Sequence, residues 1–138
     1  MGKDFEILDH TADVGIIAYG ADLKQAFANA ARALFSLITE LDDVEEVLYR
    51  DIELTANDEE SLLVGWLNEL IYRFDAEGIL FKRFDIIQLD DTRLKARGYG
   101  EKVDSSRHRL KTGVKGATYH MLKVDRTDGF RVQVLFDI

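Results

Sequence analysis

Phe130-Arg131-Val132-Gln133-Val134-Leu135-Phe136-Asp137-Ile138 closes the sequence and reads as a strand. Apolar Val132, Val134 and Phe136 alternate with Arg131, Gln133 and Asp137, the period of a half-buried strand. Upstream, Val114 to Val124 is a second strand-like run, and Arg126-Thr127-Asp128-Gly129 lies between the two. The turn decides their register. A two-residue Asp-Gly loop would pair even positions with odd ones and set Val132 beside Asp125. A three-residue loop with left-handed Gly129 pairs Val124 with Val132 and Leu122 with Val134. It also pairs Asp125 with Arg131, opposite charges across the ladder. Both faces are satisfied in this second register. It predicts His120 beside Phe136 on the apolar face and Asp137 opposite Tyr119 on the other.

Asp137 and the main-chain carboxylate of Ile138 bring two acids together at the last two residues. A solvated strand end is the commoner origin of such a pair. Near the start, Asp9-His10-Thr11-Ala12-Asp13 sits between candidate strands at 4–8 and 14–19. An Asx-turn is the commoner origin of that cluster. The alternative for both is a functional one. If the fold brings Asp13 to Asp137 and the Ile138 carboxylate, the three form an all-oxygen cluster suited to a hard divalent cation.

The middle of the chain supplies two helices. Asp22 and Gln25 have the spacing of a capping box, and Leu23, Phe27, Ala30, Leu34, Leu37 and Ile38 follow at helical spacing. This predicts a helix over about 22–39. Asn57 and Glu60 suggest a second capping box. Leu62, Leu63, Trp66, Leu67, Leu70, Ile71 and Phe74 then make a broad apolar stripe that Gly78 stops. Strands are expected over 46–55, 79–89 and 93–101. A slip in alternation near Ile86-Ile87 suggests a bulge. Ala96, Gly98 and Gly100 form a face that allows close backbone approach. No repeat or linker interrupts residues 1–138, so one domain is expected. Its class is α+β, two helices packed on a mainly antiparallel sheet.

Composition narrows the function. The balance of 18 basic against 26 acidic residues gives a net charge of −8 at pH 7. Phosphate binding needs basic residues, so RNA or DNA is not expected as the primary ligand and direct binding is expected to be weak. A basic protein partner or a cation suits this charge. The sequence has no Cys, which removes disulfides and thiolate metal sites. No run has membrane-spanning length or signal-peptide order, so a cytoplasmic protein is expected.

Other candidates are single residues. His120, on a strand, is ordinarily a hydrogen-bonded structural residue. His108, between Arg107 and Arg109, suggests contact with phosphate or an acidic surface, or simply a solvated charge run. Lys115 opens the final hairpin, where exposure is the ordinary reading. There is no phosphate-binding loop, dinucleotide fingerprint or Ser-His-Asp spacing. A small metal-dependent phosphoesterase using the acidic cluster is conceivable, but a general base and a phosphate cradle are missing. An RNA chaperone is opposed by the charge.

Several stretches together resemble the archease family. They are Phe5-Glu6-Ile7-Leu8-Asp9-His10-Thr11-Ala12-Asp13-Val14-Gly15, Ala26 to Ala31, Ala33-Leu34-Phe35 and Leu62 to Tyr72. Gly100-Glu101, Val114-Lys115-Gly116-Ala117-Thr118-Tyr119-His120 and the closing Phe136-Asp137-Ile138 complete the set. The family usually has Ala where this chain has Gly116, a small-for-small exchange. The resemblance implies a non-catalytic cofactor of the RtcB-type RNA-splicing ligase. That ligase joins 2′,3′-cyclic-phosphate or 3′-phosphate ends to 5′-hydroxyl ends in tRNA splicing. The cofactor promotes guanylylation of the ligase histidine and multiple turnover. Some members are described as chaperones that modulate a tRNA methyltransferase. The resemblance places a divalent metal, calcium foremost with magnesium or manganese as alternatives, on Asp13, Asp137 and the Ile138 carboxylate. It gives Lys115 an activating role and sets Asp9, His10 and His120 beside it as partner-facing residues.

Overall fold

Both expected helices are present in the computed structural model, which describes residues 3–9 and 13–138. The first, α1, spans Leu23–Ile38. The Asp22 carboxylate accepts from the Gln25 N–H at 2.8 Å, and the Gln25 side chain accepts from the Ala21 N–H at 2.6 Å. The capping box therefore forms with its return bond one residue further out. The second helix, α2, spans Glu59–Glu77, and its cap is Asp58 rather than Asn57. The Asp58 carboxylate accepts from the Ser61 N–H at 2.7 Å. A full negative charge is favoured over an amide at the positive end of a helix, which explains the shift by one residue. Gly78 ends α2 in the left-handed region, at φ 69 and ψ 32.

The described residues also form seven strands: β1 Phe5–Asp9, β2 Asp13–Gly20, β3 Leu48–Thr55, β4 Ile79–Leu89, β5 Arg93–Lys102, β6 Gly116–Asp125 and β7 Phe130–Asp137. The class is α+β, and all pairings are antiparallel. The strands divide between two sheets, one ordered β1-β2-β7-β6 and the other β3-β5-β4. Helix α1 packs against β2 and β7 of the first sheet and β4 of the second, while α2 packs against β6 and the second sheet. One continuous core results, with Ile16, Phe27, Phe35, Ile52, Trp66, Phe81 and Phe136 all buried within it. Among the described residues, no helix is long and apolar enough to cross a membrane.

The slip read at Ile86-Ile87 is a register shift between Ile86 and Gln88, which leaves Ile87 52% exposed. In β5, a Cβ on Gly98 would press into the Phe81 ring, and one on Gly100 into the Leu80 carbonyl. Only glycine lets β4 and β5 approach so closely there.

The segment after β5 departs from its sequence reading. His108 is not a solvated or partner-facing residue, since its side chain is fully buried. The Asp104 N–H donates to His108 Nδ1 at 2.9 Å, so Nε2 carries the hydrogen that faces Glu101 Oε2 at 3.1 Å. Glu101 also accepts from the Glu45 N–H at 2.7 Å and pairs with Arg107. A buried carboxylate needs such partners, and the run of basic residues supplies them. The loop then closes the open end of α1. Lys111 and Thr112 N–H groups donate to the Ile38 and Leu37 carbonyls at 2.8 and 3.1 Å. That docking delivers the chain to Lys115.

The final hairpin keeps its expected register only near the turn. Val124 faces Val132 and Asp125 faces Arg131, with Asp128 and Gly129 at φ 56 and 93. Below that the ladder shifts. Lys123 faces Gln133, but Thr118 faces Leu135, so residues 119–122 oppose Val134 alone. Leu122 is therefore not in ladder register with Val134. Asp137 faces Gly116, not Tyr119, and Phe136 faces Ala117, not His120. Side-chain bonds to the backbone hold the shift in place. Thr118 Oγ1 donates to the Leu135 carbonyl at 3.1 Å, and Gln133 Nε2 donates to the Met121 carbonyl at 2.9 Å.

Candidate functional site: a carboxylate pair across two strands

Strand alternation builds the site. In the β2–β7 ladder Val14 faces Phe136, and both are buried against the helices. One residue further along, Asp13 faces Asp137. Successive side chains point to opposite faces, so this pair lies on the outer face of the sheet. Residues directly opposite in an antiparallel pair have Cβ atoms roughly 4.5–5.5 Å apart, and like charges so placed repel. Asp137 is exposed and Asp13 is partly buried.

The floor beside the pair is apolar and tight. Gly15 faces Leu135, the next residue on the same face of each strand. A Cβ on Gly15 would collide with the Leu135 side chain and lie 3.3 Å from Leu8 Cβ. Leu135 is only 1% exposed even though it is on the outer face. Glycine at position 15 is thus what lets a leucine fill the space behind the acids.

Strand β6 brings in Lys115. Its N–H donates to the Asp137 carbonyl at 2.8 Å, one residue before Gly116 faces Asp137. The lysine side chain is exposed. Asn68 of α2 accepts from the Ala117 N–H at 2.8 Å and so fixes the start of this strand. Sequence reasoning passed over Asn68. Its signal was a poor helix former inside a strongly helical run, which often marks a side chain bonded to backbone elsewhere.

The remaining candidates are not gathered here. Asp9 faces Val14, so it lies on the helix-side face, opposite to that of Asp13 and Asp137. His120 sits in the exposed shifted segment of β6. His10 lies outside the described residues. Ile138 follows β7 and is 46% exposed.

The donor chemistry fits a hard cation, since carboxylate and main-chain oxygens suit Ca²⁺, Mg²⁺ or Mn²⁺. Among the described residues, no three His, Asp or Glu side chains group to hold a metal. A set built on Asp13 and Asp137 therefore has to recruit a further oxygen donor. The patch is open. Two clefts of the surface are lined elsewhere, one by Asp58–Glu60 with Leu122–Arg126 and one around Tyr19, Gln25 and Phe130.

This arrangement coincides with a match over almost the whole sequence. The profile of the Archease protein family (MTH1598/TM1083) matches residues 5–138. The chain belongs to the archease family. Among archeases, the protein of Methanosarcina acetivorans is 39% identical, covering 99% of this chain and 97% of that one. The archease of Saccharolobus islandicus is 41% identical, with 99% of each chain covered. The solution structure of Methanobacterium thermoautotrophicum protein 1598 superposes with a TM-score of 0.84 at 37% identity, covering 98% of this chain and 99% of that one. A Thermotoga maritima crystal structure, described as an archease and possible chaperone, gives 0.63 at 20% identity over 95% and 94% of the two chains. That likeness speaks to the fold.

Proposed function

We propose that this archease is a cytoplasmic, non-catalytic accessory protein of an RtcB-type RNA-splicing ligase, raising guanylylation and multiple turnover of the ligase. The observation that carries the reading is the facing of Asp13 and Asp137 across β2 and β7, with Lys115 bonded by its backbone to Asp137. In this reading Asp13, Asp137 and the Ile138 carboxylate hold a divalent cation, Ca²⁺ foremost. A bound cation would relieve the repulsion between the carboxylates and order them for the partner. Lys115 supplies the mobile positive charge beside them, suited to a phosphate or an acidic side chain of the ligase complex. The net charge of −8 fits a protein that leaves RNA to its partner.

A multiple-turnover ligation assay with purified RtcB-type ligase, GTP and an RNA bearing a 2′,3′-cyclic phosphate tests this. Wild-type chain is expected to stimulate turnover, and Lys115→Ala to fold normally but stimulate weakly. Absence of stimulation by the wild type would refute the reading. A second reading, implied by the resemblance to archeases described as chaperones, makes a tRNA methyltransferase the client. Stimulation of methylation without stimulation of ligation would select it. A phosphoesterase would instead turn over phosphate esters with the purified chain alone.

A further inference from the structure

The shifted segment of β6 is longer than its pairing with β7 uses. Residues 119–122 oppose Val134 alone, so three of them are surplus to the ladder. Met121 takes a φ of 55, a left-handed conformation that is unfavourable for a bulky L-residue. Tyr119 and Met121 are 59% and 47% exposed, and His120 between them is exposed as well. The excursion is nonetheless held in place by the Gln133 bond to the Met121 carbonyl at 2.9 Å. A strained backbone fixed in an exposed position is characteristic of contact elements. Tyr119 lies three residues beyond Gly116, the residue that faces Asp137. At about 3.3 Å per residue, the excursion begins roughly 10 Å from the carboxylate pair.

We propose that Tyr119-His120-Met121 is the docking element that seats this archease on its protein partner, at an apolar pocket with a cationic rim. The proposal rests on the accessory-protein reading above. Aromatic and methionine side chains are enriched as anchors in interface cores, and a thioether adapts to pocket shape. The net charge of −8 selects a basic rim. A second copy adding a strand fits less well. The shift breaks the row of edge groups, and the Ala117 N–H beside it is already bonded to Asn68. Stacking of RNA bases on Tyr119 is opposed by the negative charge.

Deleting residues 119–121 joins Thr118 to Leu122 and restores the register in which Leu122 faces Val134. The shortened chain is expected to melt at or above the wild-type temperature. Its affinity for purified RtcB-type ligase, read by calorimetry, is expected to fall at least about tenfold. A double variant, Tyr119→Ser with Met121→Gly, keeps chain length and His120 and suits the backbone at 121. It is expected to show the same loss, and it decides the matter if the deletion does not fold. Wild-type ligase affinity in a well-folded variant overturns the proposal while the accessory reading stands. A wild-type dimer that the variants dissociate, with ligase affinity unchanged, overturns it in favour of self-association. A wild-type chain that neither binds nor stimulates the ligase overturns both.

Discussion

At the scale of single residues, Glu101 is buried, whereas Asp13 is partly buried and Asp137 exposed. Burial pushes the Glu101 carboxyl up, but the Glu45 N–H, Arg107 and His108 outweigh burial and hold it below the ordinary 4.5. A depressed folded-state value stabilises above the unfolded value and loses that contribution as pH falls through the folded one. The melting temperature is therefore expected to drop on acidification below about pH 4.5. Glu101→Gln should flatten that dependence, and an unchanged acid profile in the variant would show that Glu101 is not its source. Glu101→Ala strands the His108 Nε2–H and the Glu45 N–H, so a loss of about 2–4 kcal/mol in chemical denaturation is expected. The value sits below that for a fully buried pair because the Arg107 side chain is 42% exposed. His108 shows why single residues read poorly from sequence. Flanked by arginines, it has the signature of surface, and only the approach of Glu101 from β5 makes it core.

At the scale of elements, the helices were legible because their signals are local. Trp66 was placed in the core by its stripe, and the structure adds a bond from Trp66 Nε1 to the Phe27 carbonyl at 3.0 Å and an edge-on contact with Phe84 at 5.6 Å. Trp66→Ala is expected to cost about 4–5 kcal/mol, the upper end for such changes, because it leaves a large cavity and removes a buried hydrogen bond. A melting temperature equal to wild type would contradict that. The cap of α2 gives a finer test. Asp58→Ala should cost about 1 kcal/mol, and Asn57→Ala close to nothing. Equal losses would mean that the cap is shared. The last hairpin was half legible. Turn residues fixed its register from Asp125 to Lys123, but a three-residue excursion leaves no mark on alternation when its residues, Tyr119, His120 and Met121, mix apolar and polar character. The register of β7 against β2, which no local pattern encodes, decides which face Asp13 occupies.

At the scale of the whole molecule, the class and the order of elements followed from periodicity, and the division into two sheets did not. That division depends on β3 and β4 both choosing β5 as their neighbour, a long-range choice. Parts of the candidate site were visible as types of residue. Asp13 and Asp137 were singled out by chemistry and Lys115 by the family resemblance, but Asn68 and the Gly15–Leu135 floor emerge only when α2 and β1 pack beside them. Three consequences meet at one end of the first sheet: a pair of facing carboxylates, a lysine just before the adjoining strand and a strained, exposed excursion nearby. The central claim is that the facing of Asp13 and Asp137 builds a hard-cation site completed by Ile138. The most direct measurement is calorimetric titration of Ca²⁺ into the wild-type chain, into Asp137→Asn, and into a chain extended by two glycines after Ile138. Saturable binding in the wild type, weakened by about tenfold or more in both altered chains without loss of melting temperature, is the predicted result. Binding of equal strength in all three, or none in the wild type, would contradict it.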